Sequence, residues 1–171
     1  GLAGAYSSNA LKMAVAEISE CENEVVVITC GRKARDFFTR RGFNVIQSHI
    51  GFSDRPTYEN AVDIAQDAIK TFASEGFDKL NIVYTVFKTA LSQIPTSEVI
   101  LPVEPPVKEE GKAQASFMFE PGEDDTLTVL APKYLETVVY AALVQSAASE
   151  LGSRMTAMSS ATDNAAKLVS S

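Results

Sequence analysis

The sequence predicts an α/β fold: a Rossmann-like parallel sheet, mixed at its edge, with flanking helices and a long protruding C-terminal coiled-coil helix. Two observations predict it. Residues 24–86 follow the order strand, helix, strand, helix, strand, and two such crossovers indicate parallel strands. From Pro132 onward there is no further proline and one glycine, Gly152, which is typical of a single helix. We expect a base domain over 1–131 and the long helix over 132–171.

The first elements follow from apolar runs and helix caps. A serine at 7 or 8 can cap a helix that ends at Glu20. The run 24–30 is apolar without alternation, as in a strand that is buried on both faces. A short charged helix over 31–41 and a second strand over 43–50 complete the first crossover.

The second crossover begins with a loop over 51–56. Thr57–Glu75 is a predicted helix, which Gly76 ends. Residues 79–84 form the third predicted strand, and 99–102 form a short one. These boundaries place three parallel strands in the sheet.

An acidic excursion separates the predicted sheet from the long helix. Residues 104–125 carry seven acidic and two basic side chains, which is −5 of the total formal charge of −7. Within it, 116–119 resembles a returning edge strand. The acids at 123–125 lack the spacing of an EF-hand, so a hydrated loop is expected there.

Composition narrows the function classes. The 171 residues, 46% hydrophobic, suit one globular domain, and the net charge of −7 argues against a dedicated nucleic-acid binder. Cys21 and Cys30 are too few for a disulfide framework and favour a reducing compartment, with Cys30 expected to be buried. The single histidine, His49, excludes a histidine-pair metal site in this chain. No apolar run approaches the ~20 residues of a membrane span.

The sequence lacks the glycine-rich loop that nucleotide-binding folds of this class carry, and it has no recognisable catalytic motif. After the first predicted strand only Gly31 is present, not a GxGxxG loop, so no nucleotide cofactor is expected. His49 could be a general base, but a structural or exposed histidine is the preferred interpretation, and Asp54 is interpreted as a turn residue. A basic cluster could grip phosphates or an acidic partner, although a solvated helix face is the preferred interpretation. The cluster comprises Arg32, Lys33, Arg35, Arg40 and Arg41.

The second half of the long helix carries a 3.5-residue repeat. Apolar or small residues recur in steps of four and three, which predicts a coiled-coil seam. The seam contains few large apolar residues, so it needs close packing against a partner helix. No other segment of the chain is long enough to be that partner. Glu150 and Arg154 are spaced to pair on one helix face. The seam residues are Leu151, Met155, Met158, Thr162, Ala165 and Val169.

The same helix carries a resemblance to a known family. The run Arg154-Met-Thr-Ala-Met-Ser-Ser-Ala-Thr-Asp-Asn-Ala165, after Ser146-Ala-Ala-Ser-Glu150, resembles the C-terminal helix of the gamma subunit of F-type ATP synthases. Gly1-Leu-Ala-Gly4 through Asn9 looks like the family's glycine motif after the first strand of its domain. The stretch 87–95 and Tyr134-Leu-Glu136 are similar to further family motifs, so the resemblance covers the chain in order.

The resemblance implies a non-catalytic rotor subunit that couples rotation of the c-subunit ring to ATP synthesis or hydrolysis. Its partners would be the alpha and beta subunits of the catalytic ring, the epsilon subunit, the c ring and its own N-terminal helix. That helix and the C-terminal tip are expected to be absent from this central fragment. The implied location is peripheral, on the cytoplasmic side of a bacterial plasma membrane.

The family's motif positions imply roles for individual residues. Tyr134 and Glu136 would form the foot, near the polar loops of the c ring. Shaft and coiled-coil contacts would come from Glu150, Leu151, Arg154, Met155, Met158, Thr162, Asp163, Asn164 and Ala165.

Two other function classes stay open on the residues alone. A doubly wound nucleotide-binding module or enzyme would bind a nucleotide at the carboxyl ends of its strands. A signalling or adaptor domain with a coiled-coil interaction helix would self-associate through 151–169.

Overall fold

The structure is a computed structural model that describes residues 6–52, 54–102 and 123–170, with side chains described for 8–52, 54–102 and 132–168. Its helices and strands confirm the predicted α/β fold class, with parallel strands, flanking helices and a long C-terminal helix. The elements are α1 (Tyr6–Glu20), β1 (Val27–Cys30), α2 (Arg32–Arg40), β2 (Val45–His49), α3 (Tyr58–Glu75), β3 (Leu80–Thr89), β4 (Ser92–Leu101) and α4 (Glu123–Ser170).

β1 and β2 form the parallel pair that the strand–helix–strand order predicts. The register places Val27 opposite Val45 and Cys30 opposite His49. β1 begins at Val27, later than the predicted start at residue 24. The backbone N–H of Val27 donates to the carbonyl of Asn44, just before β2 begins, so residues 24–26 lie beyond the start of their partner strand and are not part of β1.

The third predicted strand has a different partner from the one expected. β3 does not extend the parallel pair but forms an antiparallel hairpin with β4, with Leu80 opposite Leu101 and Thr89 opposite Ser92. Only residues 90–91 separate the two strands, and a connection this short reverses the chain direction. The short strand predicted at 99–102 is the end of β4.

α3 has the boundaries that its caps predict. The N–H of Asn60 donates to the Thr57 hydroxyl at 3.2 Å, and the N–H of Thr57 donates to Oδ1 of Asn60 at 2.8 Å. This reciprocal capping box satisfies backbone donors that a helix start leaves unpaired. At the other end Gly76 has a φ of 67°, a left-handed conformation that glycine adopts without a steric penalty.

α4 is longer than predicted, with 48 residues and a length of about 70 Å at ~1.5 Å per residue. The expectation that it starts at Pro132 is wrong, because Pro132 lies inside the helix. Proline removes one backbone hydrogen bond there, but residues 123–131 contain no glycine or other proline that would end the helix. The acids at 123–125, expected in a loop, are therefore helical. The division into 1–131 and 132–171 stays a prediction.

The core lies between α3, α4 and the strands. Leu135 and Val139 of α4 are buried and pack with Ile100 of β4. α3 presents mostly small residues to them, which allows the two helices to approach closely. α1 contacts β3, β4, α2 and α4 from the other side. The buried α3 residues are Ala61, Ile64, Ala65 and Ala68.

Several predictions fall outside the described residues. They are the glycine motif at 1–4, the edge strand at 116–119 and most of the acidic excursion at 104–125. In the described part of the chain, no helix combines the length and the apolar character that crossing a bilayer requires.

Candidate interaction site on the long helix

α4 changes from a buried helix to an exposed one near Gly152. Ser149 and Gly152 are buried, whereas every residue from 158 to 168 is exposed. Leu151, Met155 and Met158 are 56%, 59% and 54% exposed. Their steps of four and three place them on one face, so the predicted seam begins as an exposed apolar stripe.

The remaining predicted shaft residues lie beyond this stripe on the same helix. Thr162, Asp163, Asn164 and Ala165 are all exposed. The Thr162 hydroxyl donates to the carbonyl of Met158 at 3.0 Å, a local bond along the helix. None of these four residues forms a hydrogen bond or ion pair with another element in the described part of the chain, so their role in a coiled coil stays a prediction.

The predicted pair of Glu150 and Arg154 is present where α4 becomes exposed. A guanidinium nitrogen of Arg154 lies 2.8 Å from Oε1 of Glu150. Both side chains are part-exposed, so the pair contributes at most ~1 kcal/mol to stability. It fixes the two side chains relative to each other at the start of the exposed segment.

Just before the exposed segment, polar side chains of α4 bond to the outer edge of β3. The Phe87 N–H donates to Oε1 of Gln145 at 2.8 Å. The Thr85 N–H donates to the Ser146 hydroxyl oxygen at 3.4 Å, and the Ser149 hydroxyl donates to the Thr85 carbonyl at 3.4 Å. Both backbone groups of Thr85 therefore point away from β4. Pro95, opposite Thr85 in the register, needs no N–H there.

The same face of α4 continues to the turn of the hairpin. The Ser153 hydroxyl lies 2.8 Å from Oε1 of Gln93, and the Thr156 hydroxyl donates to the Ala90 carbonyl at 2.9 Å. Immediately before Ser153, Gly152 approaches the hairpin so closely that a Cβ would lie 3.0 Å from the Phe87 ring. We call Gln145, Ser146, Ser149, Ser153 and Thr156 the polar face of α4.

Sequence reasoning did not find the polar face. Its signal was nevertheless in the sequence, because these polar residues recur at helical spacing in a helix otherwise rich in alanine and valine. The sequence showed that Gly152 is the only glycine of the helix, but it did not show why a glycine is needed there.

The two predicted foot residues lie near the other end of α4. Glu136 Oε2 accepts a hydrogen bond from the Tyr58 hydroxyl at 3.1 Å, and the Tyr58 ring meets that of Tyr140 edge-on at 5.5 Å. Tyr134 is 46% exposed. The foot and Asn164 are about 40 Å apart along the helix at ~1.5 Å per residue, so they form two separate sites.

His49 lies at the end of β2, close to α3. Its Nε2 lies 2.9 Å from Oδ2 of Asp67 on α3, and this nitrogen is buried without an aligned hydrogen bond. Cys30, expected to be buried, is exposed as a whole residue at the end of β1, although its sulfur is surrounded by protein. Desolvation of its sulfur nevertheless raises the pKa of the Cys30 thiol to about 12, so it is not a reactive thiolate.

Sequence comparison finds relatives along the whole chain. The family model described as ATP synthase matches residues 1–171. The ATP synthase gamma chain of Halothermothrix orenii is 40% identical over 172 residues, covering 99% of this chain and 60% of the relative. That of Pelotomaculum thermopropionicum is 41% identical over 170 residues with the same coverage. The chain thus spans about 60% of the length of these curated relatives.

Solved structures share the fold. One is the central stalk and c-ring of Tetrahymena thermophila mitochondrial ATP synthase, with a TM-score of 0.68 and 23% identity, covering 95% of this chain and 71% of that one. The rotor of Euglena gracilis mitochondrial ATP synthase gives 0.69 and 18%, covering 98% and 65%. Since the family model matches every residue and the curated relatives are gamma chains, this chain belongs to the ATP synthase gamma-chain family.

Proposed function

We propose that the chain is part of the central-stalk rotor of a proton-translocating F-type ATP synthase. It couples rotation of the c-subunit ring to ATP synthesis or hydrolysis in the ring of alpha and beta subunits. The observation that carries the proposal is one long helix, bonded at its base to an α/β domain and exposing an apolar stripe beyond it. The gamma-chain relatives support the same role.

A rotor helix has to turn together with its base. The polar face of α4 meets this need, because its hydrogen bonds to β3 and to Ala90 are directional and resist rotation of the helix about its own axis. Packing of Leu135 and Val139 against α3 holds the segment below. A torque applied to the base is thereby carried into the exposed segment.

The chain contributes no catalytic group in this proposal. ATP chemistry belongs to the alpha and beta subunits, and the exposed segment acts by contacting successive conformations of the beta subunit with different strength. A partner shifts such an equilibrium only through this difference in affinity. The chain is therefore a non-catalytic subunit of the complex.

The exposed stripe is proposed to pack against the N-terminal helix of the longer protein. Leu151, Met155 and Met158 supply its apolar surface, and the smaller Thr162 and Ala165 allow the two backbones to approach. Arg154, Asp163 and Asn164 add polar contacts along the shaft.

The foot is proposed to face the c ring, with the epsilon subunit beside the α/β domain. Tyr134 is exposed there, and the Tyr58 hydroxyl holds Glu136 in place. In this proposal the subunit is peripheral to a bacterial plasma membrane, on its cytoplasmic side.

Reconstitution tests the proposal. The full-length chain is mixed with alpha and beta subunits from the same source, purified, and assayed for ATP hydrolysis. A stable, active complex that fails to form when the chain is omitted supports the rotor role. If the chain elutes alone while alpha and beta assemble with a known gamma subunit, the proposal is refuted and a nucleotide-binding or adaptor role has to be considered.

A second assay tests the foot. In the complete enzyme, Glu136→Lys is expected to reduce proton pumping while ATP hydrolysis by the catalytic ring persists. Lys70→Glu on α3 serves as a control charge reversal at an exposed position. Unchanged pumping in the Glu136 variant refutes its placement at the c ring.

A further inference from the structure

A groove between α1 and α2 has no part in the proposed rotor role. It is open to solvent along one side and has a volume of about 510 Å³. One wall comes from positions 8, 11, 12, 15 and 16 of α1, and the other from positions 33, 37 and 41. The α1 positions are three or four residues apart on one face, and those on α2 and its C-cap recur in steps of four, so each wall is one stripe of a helix and the groove runs lengthwise between the helices.

The floor and the rim of this α1–α2 groove differ in chemistry. Leu11, Val15, Ala16 and Phe37 provide the apolar floor. The charged residues of the lining are all cations, with one on α1 and two on the α2 side. They are Lys12, Lys33 and Arg41.

These three cations are available to an external partner. None of them forms an ion pair with a carboxylate in the described part of the chain. The guanidinium of Arg41 lies 4.3 Å above the Phe37 ring, which holds the charge over the floor. By contrast, Arg35 on the same helix pairs with Asp36 and does not line the groove.

We propose that the α1–α2 groove docks an acidic amphipathic helix of a partner protein. Apolar side chains of that helix fill the floor, and its carboxylates pair with Lys12, Lys33 and Arg41. A lengthwise apolar groove with a charged rim is the surface that amphipathic helices occupy. The chain as a whole has a net charge of −7, whereas the rim of the groove is positive. The rim therefore attracts an anionic partner locally.

The shape of the groove selects a helix over a membrane surface. A flat bilayer would contact the rim cations, whereas Leu11, Val15 and Phe37 are half-buried between the helices, where a cylindrical partner contacts them more fully. Lys33 and Arg41 lie eight residues apart along one wall, or about 12 Å at ~1.5 Å per residue. Carboxylates seven or eight residues apart on a docked helix match this separation.

A designed peptide tests the groove without knowledge of the natural partner. The probe is a fluorescent amphipathic helix of about 20 residues with a leucine face flanked by glutamates at seven-residue spacing. Its control has lysine in place of each glutamate. Binding to the full-length chain is followed by fluorescence anisotropy at low and at high salt.

Variants of the chain assign the binding to the groove. Lys12→Glu, Lys33→Glu and Arg41→Glu are each expected to weaken binding about threefold, and about thirtyfold together. Ala16→Glu, at an exposed floor position, adds bulk and a like charge and is expected to weaken binding further. Lys70→Glu, outside the groove, leaves binding unchanged. Far-UV circular dichroism verifies that each variant is folded.

The outcomes separate the possible occupants. Salt-sensitive binding of the acidic peptide alone, weakened by the groove variants and not by Lys70→Glu, supports the proposal. No binding, or binding that the groove variants leave intact, overturns it. Binding to phosphatidylglycerol vesicles in preference to the peptide, or a dimer of the chain that the triple reversal dissociates, also overturns it, because the occupant is then a lipid surface or a second copy.

Discussion

Gly152→Ala tests how closely α4 approaches the β3–β4 hairpin. The new Cβ would lie 3.0 Å from Cε2 of Phe87 and 3.3 Å from the Cα of Ala90, well inside the usual carbon contact of ~3.5–4.0 Å. The ring can move, but Thr156 and Gln93 both bond to the Ala90 carbonyl and hold the backbone. Overpacking costs about 2 kcal/mol, and alanine gains about 1 kcal/mol in helix propensity. We expect a net loss of about 1 kcal/mol in the free energy of unfolding.

Urea denaturation followed by circular dichroism measures this loss. Ala141→Gly, at an exposed position of the same helix, gives the propensity difference alone and is expected to cost about 1 kcal/mol. In the background of Phe87→Ala, which removes the nearest obstacle, Gly152→Ala should cost less or become stabilising. If Gly152→Ala alone stabilises the chain by about 1 kcal/mol, the close approach does not exist and the reasoning is refuted.

Three further predictions concern single contacts. Tyr58→Phe is expected to cost about 0.5 kcal/mol in urea denaturation, and additivity with Glu136→Ala, which removes the acceptor oxygen, would contradict the hydrogen bond between them. Burial raises the pKa of the Cys30 thiol to about 12, so iodoacetamide at pH 8 should label Cys21 much faster than Cys30. Labelling of Cys30 should increase as the pH rises toward 12, and equal rates for the two cysteines at pH 8 would contradict this. Met155→Ala should cost the isolated chain less than ~1 kcal/mol, since its side chain is largely exposed, but weaken assembly; a loss above ~2 kcal/mol would place it in a core.

Local signals predicted the elements that local chemistry determines. Thr57 and Gly76 mark the ends of α3 because a side-chain cap and a left-handed glycine act within a few residues. The apolar run before Cys30 and the helix after it led to a parallel pair with the next strand. The absence of proline after Pro132 predicted a long helix, although not its start.

Pairing between elements was harder to predict. β3 has the same apolar character whether it joins a parallel sheet or a hairpin, so only the short connection at 90–91 could have distinguished them. Pro132 is compatible with the first turn of a helix and, at the loss of one hydrogen bond, with its interior. Sequence alone did not separate these alternatives.

In the candidate site, too, features of a single helix could be predicted, whereas features that depend on two elements could not. The apolar stripe from Leu151 to Met158 could be predicted, because its spacing is a property of one helix, and its role as a coiled-coil seam stays a prediction. The polar face could not, since its purpose depends on which strand lies beside the helix. The α1–α2 groove likewise needs both helices at once. From sequence alone, its cations at Lys33 and Arg41 were interpreted as part of a solvated helix face.

The polar face has a consequence for solubility. An outer strand with unpaired backbone groups is a template on which a second chain can add a strand, and proteins usually block such strands with charges, prolines or bulges. Here side chains of a helix occupy the backbone groups of Thr85 and Phe87 instead. A chain whose long helix is pulled away from the hairpin would present this strand to its neighbours, so detachment of α4 is expected to begin aggregation.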